Sequence, residues 1–426
     1  MVSVQRRLRK TRSGRVASLA MDGAAQTDLL TLADIRSAAE LGSSVVIRTS
    51  LERSSTFSRL CEREIWLKAE HLQRAGSFKI RGAMNALAAI EDPSAGVVAA
   101  SQGNHAQGVA LAAATLGIGA TVFMPKSAPI PKIQATTDYG AEIRLSGSNL
   151  GEAVDAAQAF SAETGARFVH PYDDLHIVAG QGTLGIEIAE DLPTAGTIVI
   201  PTGGGGLLAG VATAVKAISP TTRIVGVEAA ATATYVASRA AGTPTPVPHR
   251  YTVADGIAVS RPSDLVFRHV QAYVDDIVTV DDPQMTRAVA LLLERAKYLV
   301  EPAGAAGLAA VLDGLIPEGD GPTVVVLSGG NIDLLLLDRV LRHGLEAAGR
   351  FGSFRVRVPD VPGQLARLTN TVAELGANVV QVEHRREGIG LPFAFTEITI
   401  SVETRGPEQM ASIVKTLSEF DLEVLA

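Results

Sequence analysis

The stretch Thr197-Ile198-Val199-Ile200-Pro201-Thr202-Gly203-Gly204-Gly205-Gly206-Leu207 passes from a short β-type run into four consecutive glycines, and Leu207–Ala217 continues with helical periodicity. Glycines in succession weaken local order and are tolerated where the main chain must come close to a ligand. At a strand-to-helix turn the free N–H groups make that ligand an anion, commonly a phosphate. A second reading fits the same residues. Gly204-x-Gly206-x-x-Ala209 follows the relaxed dinucleotide fingerprint, and Glu228 ends the next strand about twenty residues on. The loop by itself leaves a phosphate cradle and a dinucleotide turn both open.

Outward from this loop the alternation repeats. Short β-type runs occur at Glu64–Ala69, Val97–Ala100, Ala120–Met124, Glu142–Leu145, Ile224–Glu228 and Thr323–Leu327, with helical patterns such as Ala106–Leu116 and Glu152–Glu163 between them. Strands separated by helices predict parallel strands, right-handed crossovers and helices on both faces, the α/β class. Ligands of such sheets lie beyond the carboxyl ends of the strands, so chemistry is expected in the loops that follow strands.

Three more of those loops carry functional side chains. Glu70–Asn85 leads from Glu64–Ala69 into a helix and sets Lys79 just inside its N-terminus, where the positive end of the dipole disfavours a cation. That conflict lowers the amine's pKa, and a neutral amine is the nucleophile of carbonyl chemistry; the plain alternative is a solvated surface lysine. Ser101-Gln102-Gly103-Asn104-His105-Ala106-Gln107-Gly108 follows Val97–Ala100. Ser101 reads as a helix cap, free N–H groups there suit a carboxylate, and Asn104 and His105 add directed hydrogen bonds. An ordinary capped helix explains Ser101 but not the Gly, Asn and His in one turn. Ser328-Gly329-Gly330-Asn331 follows Thr323–Leu327. It is a simple turn unless a heterocycle lies at the strand ends, in which case Ser328 offers a neutral hydrogen bond to a ring nitrogen.

The chain has 426 residues, 46% hydrophobic and 19% charged, too long for one compact core and too apolar for disorder. Thirty-eight Lys and Arg against 45 Asp and Glu give a net charge of −7, which repels nucleic acid and favours small-molecule chemistry. The single cysteine, Cys61, excludes a disulfide framework or a Cys-rich metal site and fits a reducing, cytoplasmic setting. No run of apolar residues is long enough to span a membrane. Arg6, Arg7, Arg9, Lys10, Arg12 and Arg15 precede a short, interrupted apolar stretch unlike a signal's core. Residues 1–30 are therefore expected to be a disordered basic tail, or the start codon to be assigned upstream of a true start at Met21.

The run GSFKIRGAMN (76–85), then SQGNHAQG (101–108), His170–Asp173 with Ala179–Thr183, GGGGL (203–207), Glu301–Ala305 and SGGN (328–331) come in one order and span nearly all of residues 31–345. Together they resemble the fold type II family of pyridoxal-phosphate enzymes, and within it the threonine/serine dehydratases, or threonine ammonia-lyases. The resemblance implies two open parallel-sheet α/β subdomains and pyridoxal 5'-phosphate as cofactor. It implies that Lys79 links to the cofactor and shuttles protons, that Phe78 packs by the ring, and that Asn104 bonds the phenolic oxygen. Ser101, Gly103, Asn104 and His105 would hold the substrate carboxylate; Gly203, Gly204, Gly205, Gly206 and Leu207 would bind the phosphate through N–H groups. Ser328 would face the pyridine nitrogen, a weaker electron sink than an Asp there, and Glu301 would lie near the ring. Gln102 departs from the small residue many relatives carry. Some relatives bind a cation near the position of Glu228, but no second acid follows it here and no metal is assigned.

The implied reaction converts L-threonine to 2-oxobutanoate and ammonia, with L-serine to pyruvate as a side activity, in isoleucine biosynthesis or threonine breakdown. Racemisation, β-replacement and a non-catalytic amino-acid-binding regulator are the alternatives.

Past His343 the segment HGLEAAGRFGS breaks both periodicities, so residues 346–352 are expected to link a catalytic segment, 31–345, to a second domain, 353–426. The latter reads as strand Phe354–Val358, helix Gln364–Leu375, strands Asn378–Glu383 and Phe393–Glu403, helix Pro407–Glu419 and strand Leu422–Leu425, the split βαβ order. The Asp360-Val361-Pro362-Gly363 turn and Gly376-Ala377-Asn378 resemble the ACT family of amino-acid-binding regulatory domains. That resemblance implies an amino-acid effector near Asp360, Gly363 and Asn378, between two such domains, and hence a homodimer or homotetramer. No nucleic-acid or membrane partner is expected.

Overall fold

The computed structural model describes residues 29–317, 319–388, 390–418 and 423–425. The basic tail to residue 28, Met21 within it, and Glu419 and Leu422 at two expected element ends lie outside the described residues.

In chain order the strands of the larger part are β1 (Leu51–Arg53), β2 (Ile65–Lys68), β3 (Val97–Ala100), β4 (Ala120–Met124), β5 (Glu142–Leu145), β6 (Arg167–Phe168), β7 (Thr197–Pro201), β8 (Arg223–Ala229), β9 (Asp276–Val280) and β10 (Thr323–Val326). They form a six-stranded sheet, order β1-β2-β10-β7-β8-β9, and a four-stranded sheet, order β5-β4-β3-β6. All neighbours are parallel except β1 against β2. The four-stranded sheet is an insertion between β2 and β7, which makes two subdomains. Val199, Val225, Ile65 and Val325 fill one face of the larger sheet while Ile198, Ile200, Ile224 and Val324 fill the other. Burial on both faces explains the uninterrupted apolar runs of the sequence.

The register places the site. β10 pairs with β2 on one side and β7 on the other, Thr323 opposite both Ile65 and Thr197. The three strands are parallel, so their following loops emerge side by side, with that of β10 in the middle.

Helix packing draws those loops inward. Helix Leu175–Asp191 lies against helices Lys79–Ala88 and Gly206–Ile218. A Cβ on Gly180 would stand 2.5 Å from the Arg81 carbonyl oxygen, and one on Gly210 2.3 Å from that of Val178. The Ala179–Thr183 motif is thus first a device for close helix contact.

The C-terminal part is an antiparallel sheet of β11 (Phe351–Pro359), β12 (Asn378–Arg385), β13 (Phe395–Glu403) and β14 (Glu423–Leu425), order β12-β13-β11-β14. Phe354, Val356, Val358, Ile398, Ile400 and Val402 pack on Leu368, Val372, Ile413 and Leu417 of helices Gln364–Glu374 and Pro407–Ser418. The βαββαβ order is as expected. The expected 346–352 linker is shorter: helix Leu334–Ala347 runs into it and β11 opens at Phe351, leaving Ala348, Gly349 and Arg350. Gly344, read as a break, is a packing residue, since a Cβ there would meet the Thr286 carbonyl oxygen at 2.7 Å.

Candidate active site

Four helices start at one cavity of about 860 Å³ between the two subdomains. They begin at Lys79, Asn104, Gly206 and Pro302, and none of the four has a side-chain cap at its N-terminus. Unpaired N–H groups and aligned dipoles make such convergence a region of positive potential suited to anions.

Every residue expected in the catalytic site lines this cavity: Phe78 and Lys79, Ser101 and Gly103 through His105, Gly203 through Leu207, Glu301 and Ser328. Lys79 Nζ donates to the Pro171 carbonyl at 3.0 Å and lies 5.1 Å from the centre of the Phe78 ring. Burial lowers its pKa to about 8, with Glu301 acting in the opposite direction. Desolvation therefore moves the amine towards its neutral form. Phe78 N–H bonds the Ser328 carbonyl at 3.1 Å, which fixes the lysine loop to the loop after β10.

The glycine loop is crowded on several sides. A Cβ on Gly204 would fall 2.1 Å from the Tyr172 ring, one on Gly203 2.7 Å from Ile257 Cα, and one on Gly205 2.4 Å from Tyr235 Oη. Gly205, at φ 79°, is the cap residue of helix Gly206–Ile218. Glycine is needed here for both conformation and space. Tyr172 follows Pro171, so the ring on the glycine loop and the carbonyl holding Lys79 are neighbours in the chain.

Asn104 Nδ2 donates to Glu301 Oε1 at 2.6 Å, while Asn104 Oδ1 accepts from Asn331 Nδ2 at 2.9 Å. Burial, then Asp255, raises the Glu301 carboxyl to about 7, against the hydrogen bond from Asn104 and the charges of Lys132 and Lys79. Glu301 is the cap residue of helix Pro302–Leu312, yet its side chain serves the cavity and not the helix.

Several sequence readings need correction. Ser101 does not cap the helix: its Oγ accepts from Gly103 N at 3.1 Å, closing a tight turn, and Gly103 is the cap residue. The His105 ring is committed to the Val169 carbonyl, Nε2 to O 2.8 Å, and burial with the nearby Lys79 lowers its pKa to about 3. It is a neutral ring in a structural bond, which leaves the backbone N–H groups of this turn as its free donors towards the cavity. The dinucleotide reading fails at Glu228, whose buried carboxylate accepts from Tyr235 N at 2.8 Å and Val236 N at 2.9 Å. Its oxygens are taken by the first turn of helix Thr234–Ala241, Thr234 Oγ1 included, and are not open to a ribose. Lys132 and Asp255, also on the cavity, carried no sequence signal beyond a surface lysine and a turn.

In the C-terminal domain Asp360 and Gly363 share a turn, with Gly363 at φ 92°. Asn378 lies elsewhere. It pairs with Glu403 at one end of β13, whereas Pro359, next to Asp360, pairs with Phe395 at the other end. At about 3.4 Å per residue the two ends are roughly 27 Å apart. One chain does not bring these three residues together.

A buried lysine, a crowded glycine loop at an uncapped helix and the Ser328 loop between them make a site suited to an anionic carbonyl compound. Residues 43–329 match the family of pyridoxal-phosphate dependent enzymes, and the chain belongs to it. Residues 352–420 match the ACT domain. The chain is 45% identical over 398 residues to the L-threonine ammonia-lyase of Thermotoga maritima, covering 93% of this chain and 99% of that one. The processed form of threonine deaminase isoform 2 from Solanum lycopersicum superposes with a TM-score of 0.71 at 32% identity, over 77% of this chain and 99% of the other. Maize serine racemase gives 0.71 at 36%, over 75% and 99%.

Proposed function

We propose that the protein is an L-threonine ammonia-lyase releasing 2-oxobutanoate and ammonia, with L-serine as a lesser substrate, and that residues 31–345 are its catalytic domain and 353–426 its regulatory domain. The observation that carries this is Lys79 Nζ, buried and held at the mouth of the glycine loop by Pro171. The cavity residues fit pyridoxal phosphate. Gly203 through Leu207 would hold its phosphate by N–H groups, Ser328 its ring nitrogen, Asn104 its phenolic oxygen, and Phe78 would pack by it. When bound, the cofactor supplies an electron sink for the Cα of the amino acid.

The chain supplies the rest. N–H groups of the Ser101–His105 turn orient the substrate carboxylate. The neutral Lys79 amine takes the proton from Cα, and the β-hydroxyl leaves with a proton as water; a water then returns as the C–N bond is hydrolysed, so threonine divides into 2-oxobutanoate and ammonia. Glu301, near neutrality and bonded to Asn104, buffers charge beside the ring. Likeness to maize serine racemase supports a second reading, racemisation. A cytoplasmic location agrees with the lone Cys61, and among the described residues no helix is long and apolar enough to cross a membrane.

The C-terminal domain is read as an amino-acid sensor. The edge strand β12 exposes Val380 and Val382, and a second copy laid antiparallel along it would bring that copy's Asn378 towards Asp360 and Gly363. This supports a homodimer or homotetramer.

The test is release of 2-oxobutanoate from L-threonine and of pyruvate and D-serine from L-serine, by wild type and Lys79→Ala with pyridoxal phosphate added. Lys79→Ala is expected to lose activity and the visible absorbance of covalently held cofactor. D-serine as main product would establish racemisation, and full activity of the variant would refute the assignment of Lys79.

A further inference from the structure

Lys132 Nζ and Asp255 Oδ2, 2.7 Å apart, join elements that belong to different sheets. Lys132 stands on helix Ile130–Asp138, packed against β5 and helix Asn104–Leu116 of the four-stranded subdomain. Asp255 opens the turn Asp255–Ile257, on the connection between β8 and β9 of the six-stranded sheet. Both line the cavity. The Lys132 side chain is 17% exposed and that of Asp255 52%, so the lysine is drawn down over the cavity and the pair sits at its rim.

The turn carrying Asp255 reaches the site from the other side. A Cβ on Gly256 would lie 3.0 Å from Ala303 Cβ and 3.7 Å from Glu301 Oε1, and Ile257 abuts Gly203. The turn is thus wedged between the start of helix Pro302–Leu312 and the glycine loop, and its charged link to the opposite subdomain is placed where an amino acid must enter.

We propose that the Lys132–Asp255 pair is a positioning latch for the substrate, closing the four-stranded subdomain over the cavity and seating the Asp255–Ile257 turn against Glu301 and the glycine loop. The proposal rests on the amino-acid lyase reading of the site. An ion pair open to solvent on one side adds little to folding stability, so its removal acts on closure and not on the fold.

The charges facing Glu301 supply a second signature. Asp255 raises the Glu301 carboxyl, Lys132 and Lys79 lower it, and Asn104 lowers it by a hydrogen bond. Asp255→Asn must therefore move a Glu301-dependent limb of the kcat–pH profile to lower pH, and Lys132→Met must move it to higher pH. The opposite shifts show that both charges face Glu301; the rise in KM and the exchange protection report the latch itself.

The experiment compares wild type, Lys132→Met, Asp255→Asn and the charge-swapped Lys132→Asp/Asp255→Lys holoenzymes. KM and kcat for L-threonine are followed across pH, together with cofactor absorbance. Hydrogen exchange of residues 130–138 is followed with and without L-2-aminobutyrate, which has threonine's carbon skeleton but no leaving group. Each single variant is expected to raise KM about tenfold or more, to retain cofactor and to split the pH limb as stated, and the swap recovers part of the loss. L-2-Aminobutyrate is expected to protect 130–138 in wild type and not in Lys132→Met. Unchanged KM and pH limb in both single variants would overturn the latch, as would equal shifts in one direction or no protection in wild type. If L-threonine is not turned over at all, the reaction reading fails separately, and the exchange result still decides the latch.

Discussion

Beneath Lys79, in the same helix, Arg81 is fully buried and ties together three elements. Its Nε and Nη2 donate to the two oxygens of Glu70 at 2.7 and 2.8 Å, its Nη1 and Nη2 to those of Glu187 at 2.7 and 3.0 Å, and Nη1 also to Thr183 at 3.0 Å. Lys68 of β2 completes the cluster with Glu187 Oε2 at 2.7 Å. Burial alone would push the Glu70 carboxyl up, yet Arg81, helped by Thr49 and Lys68, holds it below the ordinary carboxylate range. Arg81→Met would strand Glu70, whose side chain is 0% exposed, beside only Thr49 and Lys68. Breaking a buried pair from one side costs about 3–5 kcal/mol, which corresponds to a fall of about 10 °C in the melting temperature of a domain of this class. Trp66, the single tryptophan, sits in β2 near Lys68 and reports the unfolding of this region by fluorescence in urea. Removing both partners, as in Arg81→Met/Glu70→Met, should recover most of the loss, since an apolar pair of similar volume is close to neutral. The sign with pH also follows. A carboxyl lowered in the fold stabilises above its unfolded pKa and loses that contribution as pH falls through its folded value, so the gap between wild type and Arg81→Met must narrow in acid. A loss below about 1 kcal/mol, or a double variant no more stable than the single, would refute the argument.

Gly204→Ala places a Cβ 2.1 Å from Tyr172 Cδ1 and must displace that ring; cofactor affinity, titrated by visible absorbance, is expected to fall about 10–100-fold, and an unchanged affinity would count against the phosphate cradle. Asn104→Ala removes a hydrogen bond that favours the ionised Glu301, so the carboxyl rises further above about 7 and the associated kcat limb moves to higher pH; a shift to lower pH would show that another group sets the limb. Val380→Lys charges the exposed edge strand β12 and should lower the mass seen by sedimentation, while an unaltered assembly would place the interface elsewhere.

The strands that could be read from the sequence are short β-type runs bounded by turn residues, buried throughout in Val97–Ala100 but mostly exposed in Glu142–Leu145. Val97–Ala100, Ala120–Met124 and Glu142–Leu145 are strands with the expected bounds, and Thr197–Ile200 extends only to Pro201. β1, only Leu51–Arg53, β6, only Arg167–Phe168, and the half-buried β9 carry too little periodicity to be seen. The site loops were legible because strand-to-helix turns with Gly, Asn and Lys are locally unusual. What escaped was non-local. The His105 ring turns to Val169, Lys132 meets Asp255 across 123 residues, and Asn378 is carried to the far end of β13 by strand register. No local pattern encodes such distances.

That same non-locality explains why this arrangement makes a site at all. β10 is the last strand of the larger sheet in sequence but lies at its centre, between β2 and β7. Without it, the lysine loop would have no Ser328 carbonyl to hold it, and Asn104 no Asn331 beside it. The helix starting at Pro302, with Glu301 at its head, precedes β10 directly and arrives with it. The anion-binding region formed by four helix starts is therefore completed by the last strand of the larger sheet in sequence and the helix before it. A chain lacking the strand would keep the glycine loop and Lys79 but would neither fix the lysine loop nor place a carboxyl beside Asn104. Lys79 and the glycine loop thus take their neighbours from a segment more than a hundred residues further along the chain.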